Sequence, residues 1–471
     1  MPSNPMRAHI EPDELGPSLT DSINDASLAH ILYFLSFKDR IVCERVSKKF
    51  NQVSKEVNAM KQTSLSILGE NVMENIIQNF CTHPHHRIWK STDVIERGDA
   101  MEDIENILKK VPNLKALHFR ADDLAPILKD GESVKISQLC PNLEHFSLID
   151  DMIGTNVFND FLPLVAGMKN LFHLEVRFPA REGSGKTEML QENLLLTEAI
   201  NLFKNGLQVL STNVPLNSEN CRILSNDCNK IRKLSLVGTA LPVPGLNSFL
   251  NEGGVRGKYL RCLSTNIDTE DQLDVICKSM ICLQSFQVVI NHKNVRNIGS
   301  IGQLRNLKNL FISNWSNDLL DEGLLKVFIG CRQLSSLIIN GEVSDSSFQL
   351  LSNFCFFMKR IEINNGKRGE RITDTSLYAF ARLEYLHSLT LYYCEVSDAA
   401  VKELFQNCRD LQYLRLTCNN KLTKGVFPHC IEFAQSKPKE RISMVLPERL
   451  ERYWPQYLEF SVPNNLDMKF M

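Results

Sequence analysis

From residue 112 onward the chain returns to one alternation of apolar and polar positions. It reads "PNLKALHF" at 112–119, "PNLEHFSL" at 141–148, "KNLFHLEV" at 169–176, "NKIRKLSL" at 229–236, "RNLKNLFI" at 305–312, "RQLSSLII" at 332–339, "EYLHSLTL" at 384–391 and "RDLQYLRL" at 409–416. Weaker copies stand at "NGLQVLST" (205–212), "KYLRCLST" (258–265), "ICLQSFQV" (281–288) and "FMKRIEIN" (357–364). Together they make about twelve units, spaced mostly by about 23 to 29 residues. The shared form L-x-x-L-x-L ends with period two, so each copy predicts a short strand whose apolar residues point one way and whose flanking residues point the other. The stretch after it has helical spacing, as in "SDAAVKELFQNC" at 397–408. One unit cannot bury its apolar face alone, so the pattern predicts a single curved α/β stack with parallel strands inside and helices outside.

A different period governs the N-terminal part. In "SINDASLAHILYFLSFKDRIVCERVSKKFNQVSKEV" (22–57), Leu28, Ile31, Leu32 and Leu35 have the 3-and-4 spacing of one helix face. Ile41, Val42 and Val46 continue it in a second helix, and Phe50, Val53 and Val57 in a third. About 40 residues barely support a core, so this small unit is expected to borrow apolar surface from a partner. The chain thus divides into a disordered leader (1–18), a three-helix unit (19–60), a helical lead-in with a first degenerate repeat (61–112), the repeats (113–445) and a C-terminal cap or tail (446–471). The tail "LPERLERYWPQYLEFSVPN" (446–464) is aromatic and broken by proline; it is expected to close the core of the last repeat, with a binding role as the other reading.

Composition changes this picture little. The chain has 471 residues, 43% of them hydrophobic, and a formal charge of −2 with a pI near 6.6. No excess of Lys and Arg is available for a phosphate-binding surface, so nucleic acid is not expected as a partner. Neither a signal-peptide leader nor an apolar run long enough to span a bilayer is visible, and the last residues form no prenylation box, which points to a cytoplasmic or nuclear protein without membrane attachment. Fourteen cysteines in so long a chain suit reduced, buried thiols better than a disulfide framework.

Three stretches carry candidate chemistry. "AREGSGKT" (180–187) matches a Walker A pattern if alanine is allowed first, between a strand-like and a helix-like segment. Its flanks belong to one repeat, and no later strand ends in an aspartate to hold magnesium, so it reads as a loop inserted in a repeat rather than a nucleotide site. "CTHPHHRIWK" (81–90) gathers Cys81, His83, His85 and His86, yet so close in sequence they fit a polar loop better than a tetrahedral zinc site. Ser344, Thr373 and Ser397 each precede an aspartate (Asp345, Asp374, Asp398) at the start of a helical segment, where hydroxyls cap free N–H groups and carboxylates favour the positive helix end. No catalytic, metal or cofactor site is expected.

Two resemblances join these parts. "CRQLSSLIINGEVSDSSFQLL" from Cys331, "RITDTSLYAF" from Arg371 and the stretch from Leu386 resemble the cysteine-containing leucine-rich repeat, with Cys140, Cys228, Cys331 and Cys408 just before the strand and Cys394 and Cys418 just after it. The N-terminal unit resembles the F-box: Ile23, Leu28, Ile31, Leu32 and Leu35 occupy its apolar positions and "VSKKF" (46–50), with Val46 and Phe50, its close. Asn24 stands where proline is usual and Ala26 where glutamate is usual. A helical cap on the repeat array is the other reading of this unit. The order resembles that of the F-box and leucine-rich repeat family. The resemblance implies a substrate-recognition subunit of an SCF-type (Skp–cullin–F-box) ubiquitin ligase, without catalysis of its own: the F-box binds a Skp-type adaptor and, through it, the cullin scaffold and RING subunit, while the concave repeat face holds a protein for ubiquitination and proteasomal degradation. A non-degradative repeat scaffold is the alternative.

Strand phase then picks the residues on that face. Early repeats present His118, Arg120, His145, His173 and Arg177, a mildly basic strip; later ones present Phe311, Ile338, Arg360, Glu362, Tyr392, Tyr413 and Arg415, with Trp315 just beyond its strand. The late group holds the side chains that dominate interfaces, so substrate is expected there.

Overall fold

The computed structural model describes residues 24–35, 40, 43, 46, 48–61, 64–67, 93–95, 108–109, 111–120, 136–149, 162, 165–177, 186–242, 259–290, 295, 297–314, 320–365, 372–458 and 462–471. The leader, Ile23, the cysteine–histidine stretch 81–90, the loop 178–185 and Trp315 lie outside them. The chain divides into two compact units, 1–183 and 184–471.

The first unit contains a helical pair and five parallel strands. Helix Asp25–Phe34 packs on helix Lys48–Lys61, and Arg40 and Cys43 are helical between them. Strands β1 (Ser64–Ile67), β2 (Asp93–Ile95), β3 (Ala116–Arg120), β4 (His145–Ile149) and β5 (His173–Arg177) lie in the order β2-β1-β3-β4-β5. The segment 61–112, expected as a helical lead-in with a first degenerate repeat, contributes β1 and β2.

The second unit is a parallel solenoid. Its strands are β6 (Val209–Thr212), β7 (Lys233–Ala240), β8 (Cys262–Ile267), β9 (Ser285–Ile290), β10 (Asn309–Asn314), β11 (Ser336–Asn340), β12 (Arg360–Asn364), β13 (Ser388–Tyr392), β14 (Tyr413–Thr417), β15 (Ile442–Leu446) and β16 (Leu466–Phe470), each beside the next. Across the two units, β3 to β14 coincide with the twelve copies of the repeat. The tail adds a strand: β16 pairs parallel to β15, and Trp454, Tyr457 and Phe470 place their rings 5.2, 5.0 and 6.2 Å from that of the buried Phe427.

Burial follows the period-two pattern. Leu310, Ile312, Leu337, Ile339, Ile361, Ile363, Leu389, Leu391, Leu414 and Leu416 are at most 1% exposed, and each such side chain contributes about 1.5–3 kcal/mol when withdrawn from water. Phe328, Phe348 and Phe380 continue the core beneath the helices, with ring centroids 6.4 and 5.1 Å apart. A thiol ladder fills the turn before the strands. Cys331 Sγ donates to the Ile301 and Leu304 carbonyls, Cys355 Sγ to those of Phe328 and Cys331, and Cys408 Sγ to those of Phe380 and Leu383. Burial pushes these three thiols up to about 12, so they stay protonated. Cys394 and Cys418 do not share a phase as expected. The register pairs Tyr392 with Thr417, which aligns Cys418 with Tyr393; both have left-handed φ (53° and 57°), Cys394 is buried and Cys418 is exposed.

The aspartates at the helix starts do more than sit at a positive helix end. Each accepts hydrogen bonds from the next repeat. Asp321 accepts from Ser344 N (3.0 Å) and from the hydroxyls of Ser344, Ser346 and Ser347. Asp345 accepts from Thr373 N (2.9 Å) and Oγ1 (2.5 Å) and from Ser376 N (3.3 Å) and Oγ (2.5 Å). Asp374 accepts from Ser397 N (2.7 Å) and Oγ (2.8 Å), and Asp398 from Thr423 N (2.9 Å) and Oγ1. Thr373 and Ser397 also cap their own helices, as expected, whereas the Ser344 side chain makes no cap bond. Burial alone would raise the Asp321 carboxyl, but donation from Ser344, Ser347 and Ser346 outweighs it and holds the group below the ordinary carboxylate value. That part of the stability is present above the unfolded-state value and is lost as pH falls through the folded one.

Candidate functional site

In the helical pair, the apolar residues divide between an inner and an outer face. Leu28 (1% exposed) and Leu32 (0%) pack with Val53 and Val57, flanked by Ala29, Leu35, Cys43 and Phe50. Ile31 and Tyr33 are 50% exposed and Val46 is 56% exposed. Ile31 therefore does not share the buried face of Leu28 and Leu32. At 3.6 residues per turn, Ala29 and Leu32 turn the buried direction away from Ile31 by about 110°. Arg40 is wholly buried; its guanidinium donates to the Leu35 carbonyl, and Ser54 Oγ donates to the Arg40 carbonyl (3.1 Å). Asn24, where proline would be usual, is the N-cap of the first helix: its Oδ1 accepts from Ser27 N at 2.7 Å. An asparagine cap of this kind is worth about 1 kcal/mol, which offsets the loss of a rigid proline.

The two sheet faces differ. In the first unit the expected basic strip is not a free charged surface. His118 is 1% and His145 5% exposed; the His145 ring stacks on His173 at 3.5 Å and meets His118 edge-on at 4.7 Å. Arg177 is bound to Glu175 (2.6 Å), which also accepts from Ser147 Oγ (3.0 Å). Burial, followed by the neighbouring His145, holds His118 well below its ordinary value. The side chain of Arg120 lies outside the described residues. Because His118 is kept neutral in the folded state, its stabilising effect is complete above the unfolded value near 6.5 and shrinks as pH falls toward the folded one. Thermal unfolding is expected to show stability falling between pH 7.5 and 5.5 by up to about 1.4 kcal/mol per pH unit from this residue. His118→Leu should flatten that slope; a parallel decline in both proteins would show that His118 is not its source.

In the second unit, adjacent strands align Phe311, Ile338, Glu362, Thr390 and Arg415 in one row across the outward face. Arg360, Ser388 and Tyr413 form a second row, and Asn364, Tyr392 and Thr417 a third. Ile338 is 5% exposed and offers little surface, whereas Phe311, Arg360, Glu362, Tyr392, Tyr413 and Arg415 are half-buried. Arg360 Nη2 holds Glu362 Oε2 at 2.7 Å. The Arg415 guanidinium lies 4.7 Å over the Tyr392 ring, and its Nη2 is 3.6 Å from Met471 Sδ. Burial raises the Tyr392 phenol above its ordinary value, opposed by Arg415. The register sets residues selected by strand phase side by side, while phase carries no information on which charges neutralise one another. Among the described residues, no helix is long and apolar enough to cross a membrane, and no three His, Cys, Asp or Glu side chains converge as metal ligands.

Residues 21–61 match the family model described as the F-box domain. Among curated proteins, none matches the chain at a significant level. Solved structures with similar backbones include the Rad7–Elc1 complex of yeast (13% identity, 89% of this chain and 94% of that one, TM-score 0.47). An internalin of Listeria monocytogenes (15%, 61% and 77%, 0.37) and a leucine-rich-repeat protein of Leptospira interrogans (16%, 77% and 91%, 0.38) are also similar. The chain therefore carries an F-box domain at residues 21–61, and parallel strands joined by helices follow it.

Proposed function

We propose that the chain is the substrate-recognition subunit of an SCF-type ubiquitin ligase. The observation that carries this reading is the F-box at 21–61, whose small core leaves Ile31, Tyr33 and Val46 on its surface. Exposed apolar side chains on so small a unit suit a Skp-type adaptor, through which the cullin scaffold and RING subunit are recruited. The second unit contributes an extended, parallel-stranded face for a protein substrate. The chain acts without chemistry of its own: it raises the effective concentration of substrate near the charged conjugating enzyme. Affinity purification under proteasome inhibition is expected to recover adaptor, cullin and RING subunit, with at least one further protein whose half-life lengthens when the chain is depleted. Recovery of the adaptor without cullin, and with no protein stabilised on depletion, would favour the non-degradative scaffold.

A further inference from the structure

On the outward face of β12 to β14, donors without acceptors accumulate. Among the described residues, Arg360 has Glu362 as its carboxylate, while no carboxylate lies within ion-pair distance of Arg415. Its Nε is buried and accepted by nothing, and its other contacts, the Tyr392 ring and a thioether sulfur, are neutral. The phenol hydroxyls of Tyr392 and Tyr413 likewise reach no acceptor among the described residues, and Arg415, Glu362, Tyr413 and Arg360 all lie close enough to act on the Tyr392 phenol. Glu362, the acid among them, is already held by Arg360. A half-buried guanidinium held over an aromatic ring and flanked by two phenols is suited to an acceptor with two oxygens in one plane. Four strands away in the same row stands Phe311, an apolar side chain.

We infer that this face binds an extended acidic segment of the substrate, with a carboxylate on Arg415, Tyr392 and Tyr413 and an apolar side chain on Phe311. The inference rests on the receptor reading above and narrows it to a class of ligand. Neighbouring strands lie about 4.8 Å apart, so the two anchors are separated by about 19 Å, which an extended chain rising about 3.3 Å per residue spans in about six residues. Cation, phenols and apolar anchor therefore specify a spacing as well as a charge.

The test uses the full chain and fluorescein-labelled ten-residue peptides carrying one Leu or Phe and one Asp, Asn or Lys at every spacing. Fluorescence anisotropy should show Asp peptides bound at least about tenfold more tightly than their Asn and Lys counterparts, with an optimum near six residues. Arg415→Gln should remove that preference, and Arg415→Glu should turn it toward Lys; thermal melts of both variants verify folding. Equal binding of Asp, Asn and Lys peptides, absence of binding by all of them, or an Asp preference that survives in a folded Arg415→Gln protein would overturn the inference. Adaptor binding, measured separately, reports on the receptor reading itself, so that reading can fail while peptide binding stands, and the reverse.

Discussion

Aspartate placed together at positions 31 and 46 is expected to abolish capture of a Skp-type adaptor while the F-box stays folded. Ile31 is 50% and Val46 56% exposed, so neither supports the intramolecular core. If both are covered by the adaptor, the half of each side chain still exposed contributes about 0.75–1.5 kcal/mol of apolar burial, and a carboxylate in its place adds a desolvation cost. Loss of even the lower sum, about 1.5 kcal/mol, weakens binding more than tenfold before that desolvation cost is added. Calorimetry with purified adaptor reads this directly, and the melting temperature of Ile31→Asp/Val46→Asp should lie within a few degrees of that of the parent. Leu32→Asp serves as the contrast. Its side chain is 0% exposed against Leu28, Val53 and Val57, so it should lose adaptor binding by unfolding the helical pair, with the helical signal lost too. Undiminished binding by the surface double variant would move the adaptor to another face.

Asp345→Ala is expected to destabilise the later repeats strongly. Its carboxylate accepts four donors, from the backbone and side chains of Thr373 and Ser376. Hydrogen bonds to a charged group are worth about 1.5–3 kcal/mol, and donors left half-buried without a partner add their own cost, so a loss of at least about 3 kcal/mol is expected. Because each repeat touches only its neighbours, the break should be local. Hydrogen exchange should quicken around helix Asp374–Phe380 and strand β13 while β6 to β9 stay protected. Asp345→Asn keeps an acceptor oxygen and should recover part of the loss. Uniform quickening over the whole second unit would instead mean that it unfolds as one cooperative block.

This aspartate ladder was half legible in the sequence. The Ser/Thr-Asp pairs at 344–345, 373–374 and 397–398 marked helix starts, and local capping was the reading they invited. The partner of each acid is a full repeat away, and pattern along the chain carries no information about which turn lies above which. The strands were the most legible feature, since L-x-x-L-x-L combines strand periodicity with a fixed repeat length. The strands β1, β2, β15 and β16 lack this form, so no copy of the repeat marks them. For the candidate sites, phase placed Phe311, Glu362, Tyr392 and Arg415 on one face, but phase says nothing about depth. Ile338 and the histidines at 118 and 145 point outward and are nonetheless covered. In the F-box, the 3-and-4 spacing does not separate Ile31 from Leu28 and Leu32, because the face that turns inward is chosen by helix Lys48–Lys61.

The phase shift between Cys394 and Cys418 has a practical side. Among the described cysteines, Cys418 alone is exposed, Cys43, Cys262 and Cys282 are half-buried, and those of the ladder are buried and protonated. In a protein with Cys81→Ser, whose position lies outside the described residues, a maleimide dye added for a short time should therefore attach foremost at Cys418, three residues beyond Arg415. Its fluorescence would then report occupancy of the neighbouring sheet face in real time.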